Sequence, residues 1–205
     1  NKIVKQHILN KNLVKKILQT YIENNVYVEI YTVNNYYIQK SQENFITSKH
    51  NHILQHKPVK LEDIVKESEK LDITKIMPIA INENADKIRL TEMFENLNTG
   101  LTLSWGIHPI ANPLRFGIIT ARDISKKQGA IEISKNINVP LENILAVGDS
   151  TSDWQFIDLC GFGAAMGNAT QKLKELVSSK ASEHFYIGKN VDENGVIEIL
   201  NYFIK

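Results

Sequence analysis

Two carboxylates, Asp149 and Asp153, stand in the run Gly148-Asp149-Ser150-Thr151-Ser152-Asp153, directly after the apolar stretch Ile144-Leu145-Ala146-Val147. A short apolar run of this kind reads as a buried strand, and open α/β sheets bind ligands at the carboxyl ends of their strands. Asp149 is therefore expected at a strand tip and Asp153 at the start of the next helix. Paired acids there make an oxygen-rich site suited to Mg²⁺ and to a phosphate whose charge the metal neutralises.

Lys126 adds to this picture. It lies in Asp123-Ile124-Ser125-Lys126, where a helix is expected to begin. A lysine at a helix N-terminus opposes the macrodipole and calls for an anion nearby, either a carboxylate or a phosphate. The small-residue run from Gly161 to Ala169 ends in a polar turn, with Asn168, beside the same sheet edge. Each feature also has a plainer reading. Acids at a helix N-terminus are favoured by the dipole alone, and Lys126 could be a solvated surface residue.

The elements that must position these residues follow from periodicity. Leu13, Ile17 and Tyr21 recur at helical spacing, with Asn12 available as an N-cap. Residues 26–33 and 36–40 are β-branched and aromatic, and Asn34-Asn35 between them suits a tight hairpin turn with positive φ angles. The polar stretch 41–60, ended by Pro58, reads as a loop. Helices are expected over 61–70 and 85–96, and strands over 73–81, 101–107 and 114–120, the last two joined through His108-Pro109 and Asn112-Pro113. After Thr120 the chain alternates: helix 125–138, strand 144–147, helix 152–159, strand 162–166, helix 170–178, strand 185–187, helix 191–203. Such alternation implies a parallel sheet with helices on its faces. The boundary falls near residue 121, with a mixed α+β layer before it.

Composition excludes several classes. The chain has 205 residues, 42% of them apolar and 23% charged, with a formal net charge of +1. That balance gives no reason to expect nucleic acid or an anionic membrane as partner. No apolar run approaches the ~20 residues that span a bilayer. Cys160 is the one cysteine, which favours a reducing, cytoplasmic setting.

Other groups carry less. His50, His52 and His56 lie in the polar stretch without an acid or cysteine partner and read as solvated loop histidines. Trp105 suits either a substrate-facing hairpin or ordinary packing, and Cys160 reads as a buried small hydrophobe.

The three segments Ile124-Ser125-Lys126-Lys127-Gln128-Gly129-Ala130, Ile144 to Asp153, and Ala165-Met166-Gly167-Asn168-Ala169 together resemble the haloacid dehalogenase superfamily. More narrowly they resemble its Cof-type sugar-phosphate phosphatases, with Ser-Lys-Gly, Gly-Asp-x-x-Asn-Asp and Met-Gly-Asn-Ala patterns. Asp192-Glu193-Asn194-Gly195-Val196 is similar to the Asp-Gly-Val segment before that family's final helix. The resemblance implies an α/β fold in which residues 121–205 form the C-terminal half of a Rossmann-like parallel-sheet core and residues 1–120 a large α+β cap domain. It implies that Lys126 binds the transferring phosphoryl group and that Asp149 ligates Mg²⁺. Asp153 would support the metal shell or anchor Lys126, and Asn168 would contact substrate. Ser152 stands where the family has Asn, giving a shorter reach to phosphate, and Lys127 replaces a small residue.

The family's nucleophile belongs to an Asp-x-Asp motif, and none occurs in this sequence: Asp63, Asp72, Asp86 and Asp123 are isolated. The expectation is a Mg²⁺-dependent phosphomonoesterase for a small phosphorylated metabolite such as a sugar phosphate, working through an aspartyl-phosphate. Its N-terminal core segment would be a partner supplied from outside these residues, and the chain alone would be inactive. A phosphosugar mutase, or a non-catalytic binding module with a vestigial site, are the rival readings.

Overall fold

A computed structural model describes residues 3, 5–122 and 124–204. The chain divides into two compact units, Asn1–Arg122 and Asp123–Lys205. Among the described residues no helix is long and apolar enough to cross a membrane.

The first unit contains α1 (Lys11–Glu23), β1 (Val28–Tyr31), β2 (Tyr36–Gln39), α2 (Phe45–Leu54), β3 (Val59–Leu61), α3 (Ile64–Glu67), β4 (Lys75–Ala80), α4 (Ala85–Asn96), β5 (Thr102–Gly106) and β6 (Arg115–Thr120). The strands form one sheet in the order β3-β2-β1-β4-β6-β5, antiparallel except for the β2–β3 pair. Alternation of side chains across the sheet separates two cores. Val28, Ile30, Ile76 and Ile119 point to one face, against Val14, Ile17, Leu18 and Tyr21 of α1 and Leu90 and Phe94 of α4. Tyr27, Ile38, Met77, Ile79 and Phe116 point to the other, where α2 contributes Ile46.

Five local expectations are corrected here. Asn10, not Asn12, caps α1, its Oδ1 accepting the Asn12 and Leu13 amides at 2.9 and 3.3 Å. The stretch 41–60 is not a loop: it forms a 3₁₀ turn (Lys40–Gln42), α2 and β3. A capping box between Asn44 and Thr47 starts α2, which buries only Ile46, Thr47 and His50, so its sequence reads as polar. His50 is accordingly not a solvated histidine; it is 5% exposed and bonds through Nδ1 to the buried Glu29 carboxylate at 2.8 Å. Neither Asn34 nor Asn35 has a positive φ; Thr32 instead closes that turn, its amide donating to the Asn35 carbonyl at 3.0 Å. Residues 61–70 also divide, Leu61 joining β3 while α3 and a 3₁₀ turn, Ser68–Lys70, follow Asp63 as N-cap.

The second unit contains α5 (Lys126–Ile137), β7 (Leu145–Gly148), α6 (Trp154–Ile157), β8 (Phe162–Ala165), α7 (Gln171–Val177), β9 (Phe185–Ile187) and α8 (Gly195–Phe203). This is the alternation read from the sequence, and its sheet is parallel in the order β7-β8-β9. Two expected helices are shorter: a 3₁₀ turn, Thr151–Asp153, precedes α6, and another, Val191–Glu193, is separated from α8 by Asn194 at φ 58°. Ala146, Ile157, Ala164, Leu173, Val177 and Ile199 form the core. Within this unit α5 has no buried residue and leaves Ile133 and Ile137 exposed.

Candidate active site

The site is built where β7 ends. Gly148 closes the strand, and Asp149 follows as an exposed residue at its tip. The next turn is a capping box: Ser150 is the N-cap, and the Asp153 carboxylate bends back onto the backbone. Asp153 Oδ2 accepts the amides of Asp149 and Ser150, both at 2.9 Å, and the Ser150 hydroxyl at 3.2 Å. Its Oδ1 accepts the Lys126 ammonium. The Asp153 side chain is 3% exposed, whereas that of Lys126 is 57% exposed. The lysine is thus held through its ammonium while its side chain as a whole stays largely exposed.

Burial opposes ionisation of Asp153, but the Lys126 hydrogen bond, the Ser150 and Asp149 amides and the lysine charge outweigh it. Together they hold the carboxyl at about 2, down from 3.8. Asp153 is consequently an anion throughout the neutral range, and Lys126 has a permanent partner.

The backbone explains why the turn has this sequence. A Cβ on Gly148 would meet Asp153 Oδ2 at 2.8 Å and collide with its Cβ, so only glycine lets the carboxylate fold over the strand end. The Asp149 carbonyl accepts the Thr170 amide at 2.9 Å, and the Gly148 carbonyl accepts that of Met166 at 2.9 Å. These bonds tie the tip of β7 to the turn after β8. In that turn Asn168 Oδ1 accepts the Val191 amide at 3.1 Å.

Lys126, Asp149, Asp153 and Asn168 all line one cavity of about 750 Å³. Its remaining wall is largely apolar, with Ala130, Ile133, Leu145, Val147, Phe156 and Met166. Four of the five sequence candidates therefore converge. Ser152 does not line this cavity; it is exposed and its hydroxyl pairs with that of Ser150 at 2.8 Å. Asp123 lies outside the described residues. The residue that sequence reasoning passed over is Ser150, although Ser-x-x-Asp ahead of an apolar run is a capping-box signal.

Among the described residues no three His, Cys, Asp or Glu side chains cluster as a metal site. The donor chemistry nonetheless fits Mg²⁺, which commonly takes one or two carboxylates and completes its shell with water and phosphate oxygens. Asp149, exposed at the tip, is free to serve in that way. Asp153 already uses both oxygens.

Trp105 packs against the core of the first unit, its Nε1 donating to Thr91 Oγ1 at 3.1 Å. Cys160 is 2% exposed in the core of the second, and burial pushes its thiol pKa up.

The family model of the haloacid dehalogenase-like hydrolases matches residues 1–200, and the chain belongs to that family. It is 31% identical over 86 residues to phosphatase YwpJ of Bacillus subtilis (strain 168), a match covering 42% of this chain and 28% of that protein. A haloacid dehalogenase-like hydrolase from Bacteroides thetaiotaomicron has the same fold, with a TM-score of 0.78 at 19% identity over 98% of this chain and 69% of its own. So does the HAD subclass IIB sugar phosphatase BT4131, with a TM-score of 0.68 at 16% identity over 99% of this chain and 70% of that one. The chain thus aligns with less than a third of its curated relative and about two thirds of these solved structures.

Proposed function

We propose that the chain belongs to a Mg²⁺-dependent phosphomonoesterase acting on a small phosphorylated metabolite such as a sugar phosphate. The observation that carries this reading is the Lys126–Asp153 pair beside the exposed Asp149 carboxylate at the tip of β7. Asp153 fixes the lysine, and the N–H groups of Lys126 not used on Asp153 are free to donate to phosphoryl oxygens. Asp149 would hold the metal; Asp153, committed to Lys126 and two amides, is a positioning residue rather than a ligand. When bound, Mg²⁺ supplies positive charge against the transferring phosphoryl group. Preorganised charge of this kind is where catalysis of phosphoryl transfer mainly lies.

The nucleophilic aspartate is proposed to come from polypeptide outside these 205 residues, because the sequence holds no Asp-x-Asp. The apolar cavity wall beside β7, paired only to β8 among the described residues, supports a segment docking there. Residues 1–120 are read as the substrate-selecting cap domain. One cysteine suits a reducing cytosol.

The test is phosphate release from a panel of phosphorylated metabolites by this chain together with its nucleophile-bearing segment, with Mg²⁺ and with a chelator. Metal-dependent release is expected. Phosphate binding without release would favour the binding-module reading instead, and transfer back to the sugar would favour the mutase.

A further inference from the structure

One row of side chains crosses the sheet of the first unit. Tyr36 pairs with Tyr31 and Tyr31 with Lys75. The pairing of Ile76 with Ile119 brings Lys75 beside Thr120, and Thr120 pairs with Thr102. Cross-strand partners share a face, so an aromatic pair, a cation and two hydroxyls lie in line. Ser104, in the next row, is exposed on the same face. The buried residues of α2 sit with Tyr27, Ile38, Met77 and Phe116, and this row stays partly open: Tyr31, Lys75 and Thr120 are half-buried and Thr102 is exposed.

Lys75 is the unusual member. Its Nζ lies 3.7 Å from the centroid of the Tyr31 ring, a cation–π contact. That ring stacks on Tyr36 with centroids 5.5 Å apart, and its hydroxyl donates to Glu29 Oε2 at 2.6 Å. Glu29 is engaged by Tyr27 and His50 as well, and no carboxylate among the described residues comes within ion-pairing distance of Lys75. In the same unit Lys15, Lys40, Lys60 and Lys87 each pair with a glutamate. Burial lowers the Lys75 pKa, with the charge of Glu29 acting against it. A lysine kept only for its aliphatic stem would carry its ammonium out to water; this one is turned onto a fixed ring, and among the described residues its N–H groups have no hydrogen-bond acceptor.

We propose that Lys75 anchors an oxyanion site on this row, taking the carboxylate or phosphate group of a small molecule whose hydroxyls reach Thr102, Ser104 and Thr120.

The test is a pair of titrations of the chain followed by amide NMR, one with inorganic phosphate and one with malonate. The Tyr31, Lys75 and Thr120 amides should shift in both, Lys75→Met should weaken the response about tenfold or more, and Lys75→Arg should retain it. Lys75→Gln replaces Lys75→Met should the latter lose its dispersed spectrum. A silent row, or a response unchanged in Lys75→Met or Lys75→Gln, overturns the site. The Lys126 and Asp149 amides report separately in the phosphate titration, so failure there counts against the phosphatase site and leaves the Lys75 result standing.

Discussion

Lys126 opens α5 and Asp153 closes the turn after β7, and the ammonium of the first is seated on Oδ1 of the second. The acid is buried and the base exposed, so the pair has one fixed end. Because the folded pKa of Asp153 lies near 2 and the ordinary value is 3.8, its stabilisation is complete above about pH 4 and is lost as pH falls through the folded value. The shift corresponds to about 2 kcal/mol. Urea unfolding at pH 6 and pH 2.5 should therefore show a smaller loss in Asp153→Asn than in the parent chain. Equal pH dependence of the two would remove this residue from the acid response.

Gly148→Ala places a methyl group against Asp153 Cβ and 2.8 Å from its Oδ2. Overpacking of this kind costs about 1–3 kcal/mol, and here it should also drive Asp153 off the Asp149 and Ser150 amides. Hydrogen exchange at those two amides is the readout: both should lose protection in the variant. Retained protection would mean that the turn adapts without moving the carboxylate.

The Glu29–His50 contact lies wholly inside the first unit, with Glu29 at 0% exposure. His50→Ala removes a donor from a buried carboxylate and should cost about 2–4 kcal/mol. Adding Glu29→Gln should recover part of that loss, because the charge that needed the donor is then gone. Denaturation midpoints of the single and double variants decide this; strictly additive losses would argue against the coupling.

The sequence was most readable where pattern and packing agree. The bounds of α4, Ala85–Asn96, and the alternation of β7, β8 and β9 with helices follow from runs such as Ile144 to Val147. It was least readable in α2, whose buried face includes Thr47 and His50. The acid that makes His50 a core residue lies 21 positions away, and no local pattern links the two. At the candidate site, residue types and order pointed to Lys126, Asp149, Asp153 and Asn168, which the structure brings to one cavity. The turning of Asp153 onto two backbone amides was not expected, though Ser150 three residues earlier carries its signature. Ser152 matched a motif position, yet its short hydroxyl finds Ser150 instead.

The central claim is that Lys126 and Asp149 do the chemistry at the tip of β7. It is tested most directly by phosphate release from the nucleophile-containing protein in saturating Mg²⁺, comparing the parent with Lys126→Ala and Asp149→Ala. Loss of a group that stabilises transition-state charge costs on the order of 10²–10³ in kcat, and both variants should fall at least that far while keeping their fold by circular dichroism. Parent-level turnover in both variants would contradict the account and move the active site elsewhere.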